Sequence, residues 1–174
     1  MRIYNYIKLV IFVTFSVLIF VYKDSLLINL KYLVSSLLIA FGVENIVLLS
    51  VLKKKECLKE SKFAFGFIQL LLGLVVLFGV NNFSGVCVVW AVWSISRESY
   101  EIHEITSGEV KGAPAIISGI ESVVAIVFSV MLLINPTEHH ASIHIYLLIA
   151  EFLVTASSPV VSELVYNFKN KKSA

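Results

Sequence analysis

Lys53-Lys54-Lys55-Glu56-Cys57-Leu58-Lys59-Glu60-Ser61-Lys62 is a block of charge set between two strongly apolar stretches, 25–52 before it and 63–80 after it. Five of the fourteen basic residues fall within these ten positions. Working outward, further apolar runs cover about 3–22, 83–105, 113–134 and 142–166, giving six in all. At a helical rise of about 1.5 Å per residue, each is long enough, or nearly so, to cross a hydrocarbon layer of about 30 Å. The remaining basic residues then sort by side. Arg2 and Lys8, Arg97 and Lys111, and Lys169, Lys171 and Lys172 join the 53–62 block on one face; only Lys23 and Lys31 fall on the other. Twelve against two places that face, with both termini, in the cytoplasm. The expected fold is therefore all-α: six transmembrane helices arranged as three antiparallel hairpins in a single 1–174 domain.

Composition agrees. The chain is 58% hydrophobic and 15% charged, with a mean hydropathy of +0.89, outside the range of ordinary soluble domains. The net charge of +2 follows from topology and gives no footing for nucleic-acid binding; its cytoplasmic concentration suits anionic lipid head groups. A lipid bilayer is the expected partner, with self-assembly or a second membrane protein left open. The amino end has a basic start and an apolar stretch. Phe20-Val21-Tyr22-Lys23-Asp24 offers no small-residue cleavage site, so a retained first helix is expected. Cys57 and Cys87 fall on opposite faces of the expected membrane and form no disulfide framework.

The outward turns, Tyr22-Lys23-Asp24, Asn81-Asn82 and 135–140, are short, so segments one–two, three–four and five–six are expected to pack as neighbours. A weak repeat accompanies them. Leu37-Leu38-Ile39-Ala40 recurs as Leu147-Leu148-Ile149-Ala150, twice a hairpin spacing of about 55 residues. Ser157-Ser158-Pro159 predicts a kink in the last segment.

Three features carry a family resemblance: Ile117-Ser118-Gly119-Ile120-Glu121 early in the fifth segment, Asn135-Pro136 closing it, and Ile149-Ala150-Glu151 in the sixth. Over 111–172 the chain resembles the HdeD-like family, small bacterial six-helix membrane proteins linked to acid resistance. The first two outward turns depart from that pattern in lacking the proline. The resemblance implies a bacterial inner-membrane protein, multi-pass, with a role in acid or stress tolerance and no enzymatic chemistry.

Chemistry-bearing residues are few. Glu44, Asn45, Gln69, Glu121 and Glu151 lie inside apolar segments, with Arg97 and Glu98 towards the inner end of the fourth. Charges there are costly and need partners. The ordinary reading is that they hold helices together. The sharper one counts three deep carboxyls, Glu44, Glu121 and Glu151, against one deep cation, Arg97, and calls for a proton held among them, as in a small proton-coupled transporter or channel. Glu121 and Glu151 lie at nearly equal distances from Asn135 and so at similar depth; they are expected to face each other or the bundle axis, with Gln69 or Arg97 as the alternative partners. Arg97, Glu101 and Glu104 recur at i, i+4 and i+7, the pattern of a solvated stripe with an Arg–Glu pair on a helix reaching into the cytoplasm and ending near Thr106-Ser107-Gly108. Trp90, Trp93 and Tyr100 read as packing or interfacial residues. His139, His140 and His144 cluster at the last outward turn, where their intrinsic pKa near 6.5 suits a sensor of external acid. Two of them at i, i+4 fall short of a metal site. Nucleotide-binding and hydrolase motifs are absent, and no cofactor is implied.

Overall fold

In the computed structural model the described residues, 2–53, 61–108 and 112–154, form seven helices and no strand. They are α1 (Arg2–Val21), α2 (Lys23–Ile28), α3 (Leu30–Lys53), α4 (Ser61–Gly79), α5 (Phe83–Thr106), α6 (Ala113–Ile134) and α7 (138–154). The loop around Cys57, the Lys111 turn and the expected kink at Ser157-Ser158-Pro159 lie outside the described residues. Among those described, Leu30–Val47 and Ala115–Ile134 are long and apolar enough to cross a membrane; Phe12–Val21 and Phe63–Gly79 are shorter apolar stretches.

Local chemistry sets the ends. Asn82 caps α5, its Oδ1 accepting from the Gly85 N–H at 2.7 Å. Gly108, at φ 78°, takes the left-handed turn that releases the chain after α5. Gly112, at φ 75°, precedes α6, whose first turn carries Pro114. The Thr137 hydroxyl accepts from the His140 N–H at 3.3 Å and opens α7. One boundary departs from expectation. Lys23 begins a short helix instead of lying in a turn, and the 25–52 run breaks at Asn29. There the side-chain amide donates to the Ser25 carbonyl at 3.0 Å, beside the residue's own backbone bond to the same oxygen.

The closest pairing also differs from the expected hairpins. Among α1–α6, α3 packs most extensively on α4, and α5 on α6, in each case across the charged connection and not the short turn. For α3 and α4 the reason is glycine. Gly42 of α3 and Gly66 of α4 meet backbone to backbone: a Cβ on Gly42 would lie 2.7 Å from Leu70 N and 2.8 Å from Gly66 O. Small residues permit this approach, and it gives the pair more contact than a short turn does. Asn45 and Gln69 close the same seam, Nδ2 donating to Oε1 at 3.0 Å.

α7 ties the rest together. Phe152 meets Phe12 of α1 edge to face at 5.3 Å and Phe41 of α3 at 6.2 Å. Lys23 donates to the Tyr146 hydroxyl at 2.9 Å, and Lys31 to Asn81 Oδ1 at 2.9 Å. The ends joined by the short turns therefore gather at one pole of the bundle. α5 and α7 run parallel in fixed register, with Trp90 beside His144 and Arg97 bonded to Glu151, each pair 54 residues apart. The repeated tetrapeptides share an environment as well: Leu38 and Leu148 are buried, their flanking residues half-buried, and Ala40 and Ala150 exposed.

Candidate functional site

Below Trp90, α5 turns its polar half towards α7. Arg97 Nη2 donates to Glu151 Oε2 at 2.5 Å and also bonds Glu98 Oε1, while Arg97 Nε reaches the same Glu98 oxygen at 3.2 Å. One guanidinium thus bridges two carboxylates from two helices. The Arg97 and Glu98 side chains are 15% and 2% exposed, so this is an interior ion-pair network. The Trp93 ring backs the guanidinium at 5.1 Å, and Phe41 backs Trp93 at 5.8 Å. Long-stemmed arginine suits the position because its planar, delocalised charge can stack on a ring while its N–H groups fork to carboxylates.

Cavities lie on both sides of the bridge, and Arg97 and Glu151 line both. One, of about 300 Å³, is bounded by α5, α6 and α7 and holds Glu121, Trp90, Trp93 and His144 in its wall. The other, of about 220 Å³, opens towards α1, α3 and α4 and is lined by Glu44, Asn45, Gln69, Glu101 and Glu104 among others. A third space of about 530 Å³, almost wholly apolar, lies between α1, α2 and α3 with Glu44 at one edge.

The sequence candidates sort as follows. Glu121 and Glu151 line the same cavity, as their equal depth implied, but the partner of Glu151 is Arg97. Glu121 keeps one buried carboxylate oxygen without a hydrogen bond among the described residues. Gln69, 1% exposed, is taken by Asn45 and not by a carboxyl. Glu44 is exposed at the edge of two cavities instead of buried among partners, because the α3 face that meets α4 is the Gly42 face and not its own. The solvated Arg97–Glu101 stripe is corrected: Arg97 turns inward to Glu98 and Glu151, since two anions in a poorly hydrated interior outbid one at the rim. The histidine turn is corrected too. His139 is exposed and His140 Nδ1 lies 2.7 Å from the Asn135 carbonyl, but His144, 4% exposed, is one turn further in against Trp90 at 5.2 Å. His144 stands one turn beyond His140 on the same side of α7, deep enough to pack against α5, while His139 falls on an exposed side. Among the described residues no group of three His, Cys, Asp or Glu can hold a metal ion.

The sequence places Glu98 beside Arg97 among the deep polar residues, but does not show that the two pair. The signal was present: Glu98 follows directly on the one deep cation, and the mainly apolar part of its helix, 83–95, is only thirteen residues long. The i, i+1 spacing hid it, because neighbours in sequence do not ordinarily face each other on a helix. Comparison of the chain with protein-family models, with curated proteins and with solved structures found no match.

Proposed function

We propose that the chain is a multi-pass integral membrane protein, crossing the bilayer six times with both termini cytoplasmic, whose working part is the Arg97–Glu98–Glu151 network with Glu121 beside it. In this reading it is a small proton-coupled transporter or channel, non-enzymatic. The observation that carries it is charge balance in a confined space. Glu98, Glu121 and Glu151 line one cavity with a single guanidinium, and cavities approach that guanidinium from two sides. An uncompensated charge held away from water costs several kcal/mol, so an interior with excess carboxyls needs a mobile cation, of which the proton is the smallest.

The residues of the HdeD-like resemblance favour a role for the same place in acid tolerance. Ile117, Glu121, Ala150 and Glu151 all line the cavity beside Arg97. A protein at the bacterial inner membrane that passes or senses protons at this cluster accounts for both features.

The test is proton movement into liposomes carrying the purified chain and a trapped pH-sensitive dye. After an external acid pulse, the wild type should acidify the lumen faster than protein-free liposomes. Glu121→Gln and Glu151→Gln should abolish the difference, and Glu138→Gln at the exposed turn should keep it. Wild-type flux no faster than empty liposomes, or full flux in both glutamine variants, would refute the proton-coupled reading and leave the carboxyls as helix contacts.

A further inference from the structure

The cavity between α5, α6 and α7 is built for more than a proton. Its wall is apolar over most of its area, with Ile117, Ile120, Val124 and Leu148 opposite the indoles of Trp90 and Trp93. The polar groups that reach it are lopsided in charge. Arg97 is already held by Glu98 and Glu151, so it has little to offer a ligand anion. Glu121 is different. One of its carboxylate oxygens is buried and unbonded among the described residues. Two other side chains of the wall, more than nine-tenths buried, have polar atoms in the same condition: Trp93 Nε1 has no acceptor, and His144 Nε2 makes no hydrogen bond of normal geometry, though its ring lies by the Phe128 carbonyl. Buried polar groups are almost always satisfied, and orphans lining one cavity mark a place where something else supplies the partner.

We infer that this cavity binds an amphiphilic organic monocation, an ammonium group on an apolar aryl or alkyl body, with Glu121 as its counter-ion. The purpose of this site rests on the transport reading, its chemistry on the cavity alone. A carboxylate with a free lone pair accepts from the ammonium head. With the Trp93 ring taken by Arg97 and Phe41, the Trp90 indole is the one that attracts a ligand cation through its negative π-surface, which tryptophan does best of the aromatic side chains. The apolar remainder of the wall takes the body. Size follows from volume: at about 30 Å³ for each non-hydrogen atom, the share a water molecule takes in the liquid, about 300 Å³ holds roughly ten such atoms. A phenylalkylamine is of that size. A metal ion or a multiply charged amine does not suit a wall this apolar, and a carboxylate ligand would face three glutamates. Uptake of the cation at Glu121 also supplies the positive charge that the cluster lacks, so the amine and a proton compete for the same group.

The chain's two tryptophans both line this cavity, so intrinsic fluorescence reports its occupation directly. The full chain, purified in detergent at neutral pH, is titrated with 2-phenylethylammonium, 2-phenylethanol and phenylacetate, three probes of nearly one shape carrying positive, zero and negative charge. The ammonium should give a saturable fluorescence change, the alcohol a change at least tenfold weaker in affinity, and phenylacetate none. Glu121→Gln should weaken the ammonium tenfold or more and leave the alcohol unaltered; Glu138→Gln should alter neither. Equal affinity for all three probes, or no saturable response to any, overturns the inference on wild-type protein alone, so nothing depends on the folding of a variant. Saturable ammonium binding without proton flux in liposomes leaves this site standing and removes the transport reading. Flux without ammonium binding does the reverse.

Discussion

Replacing Arg97 with methionine isolates the charge at the centre of the bundle. The stem of the side chain is retained and the guanidinium is lost. Glu98, 2% exposed, and Glu151, 21% exposed, are then left facing each other without a cation. Removing one partner of a buried ion pair costs about 3–5 kcal/mol, most of it the penalty of the charges left behind. Glu98 has almost no route to water short of opening the helix pair, so the loss should fall inside that range. At about 1.4 kcal/mol per decade, it corresponds to an increase of two to nearly four decades in the population of the open state. Cys87 gives the readout, because it is fully buried in the α5 core and alkylates only when the bundle opens. In a Cys57→Ser background, alkylation of the Arg97→Met variant should accelerate by at least a hundredfold. Removing all three charges, as Arg97→Met, Glu98→Met and Glu151→Leu together, should recover most of the loss, since apolar replacements of a buried triad are often neutral or better. A wild-type alkylation rate in the single variant would mean that Arg97 is solvated. A triple variant as unstable as the single one would mean that packing, not charge, sets the cost.

Two further outcomes follow from the same structure. Gly42→Ala gains about 1 kcal/mol of helix propensity, but its Cβ meets α4 backbone at 2.7–2.8 Å, and forcing α3 and α4 apart should cost about 1–3 kcal/mol; Gly79→Ala, whose Cβ meets only Val75 at 3.9 Å, should be neutral or stabilising, and thermal unfolding in detergent compares the two. The hydrogen bond to Tyr146, with Asp24 alongside, holds the Lys23 amine above its ordinary 10.5. Because the folded value is raised, this contribution is complete below about 10.5 and is lost as pH rises through the raised value, so the midpoint should fall between about pH 9 and pH 11.5 in the wild type and fall less in Lys23→Gln.

Much of the helix plan was legible because it depends on long-range composition. The block at 53–62 separates two apolar runs whatever the details of packing, and Asn82, Gly108, Gly112 and Pro114 act within a turn of where they stand. Asn29 was harder, since a lone asparagine within a long apolar run ends a helix only when its side chain captures a neighbouring carbonyl. Turn length misjudged the α4–α5 pair, which meets far less than α3 and α4 do. Contact follows the Gly42–Gly66 approach, a match between faces of two helices that neither helix reveals alone. At the site, depth along the helices puts Glu121 and Glu151 at one level, and both line one cavity. It could not choose their partners, because that depends on rotation about each axis: α7 turns Glu151 to Arg97 and His144 inward, while α3 turns Glu44 out.

The proposed function requires the Arg97 cluster to lie inside a bilayer that the chain crosses six times. Reporter fusions truncated after residues 57, 81, 108 and 137, each scored for cytoplasmic or external activity in a bacterial host, test that most directly. Alternation is predicted: cytoplasmic at 57 and 108, external at 81 and 137, with Arg97 between two points on opposite sides. The same side for 81 and 108 would take α5 out of the membrane and the charged cluster with it, and the same side for 57 and 137 would contradict the six crossings.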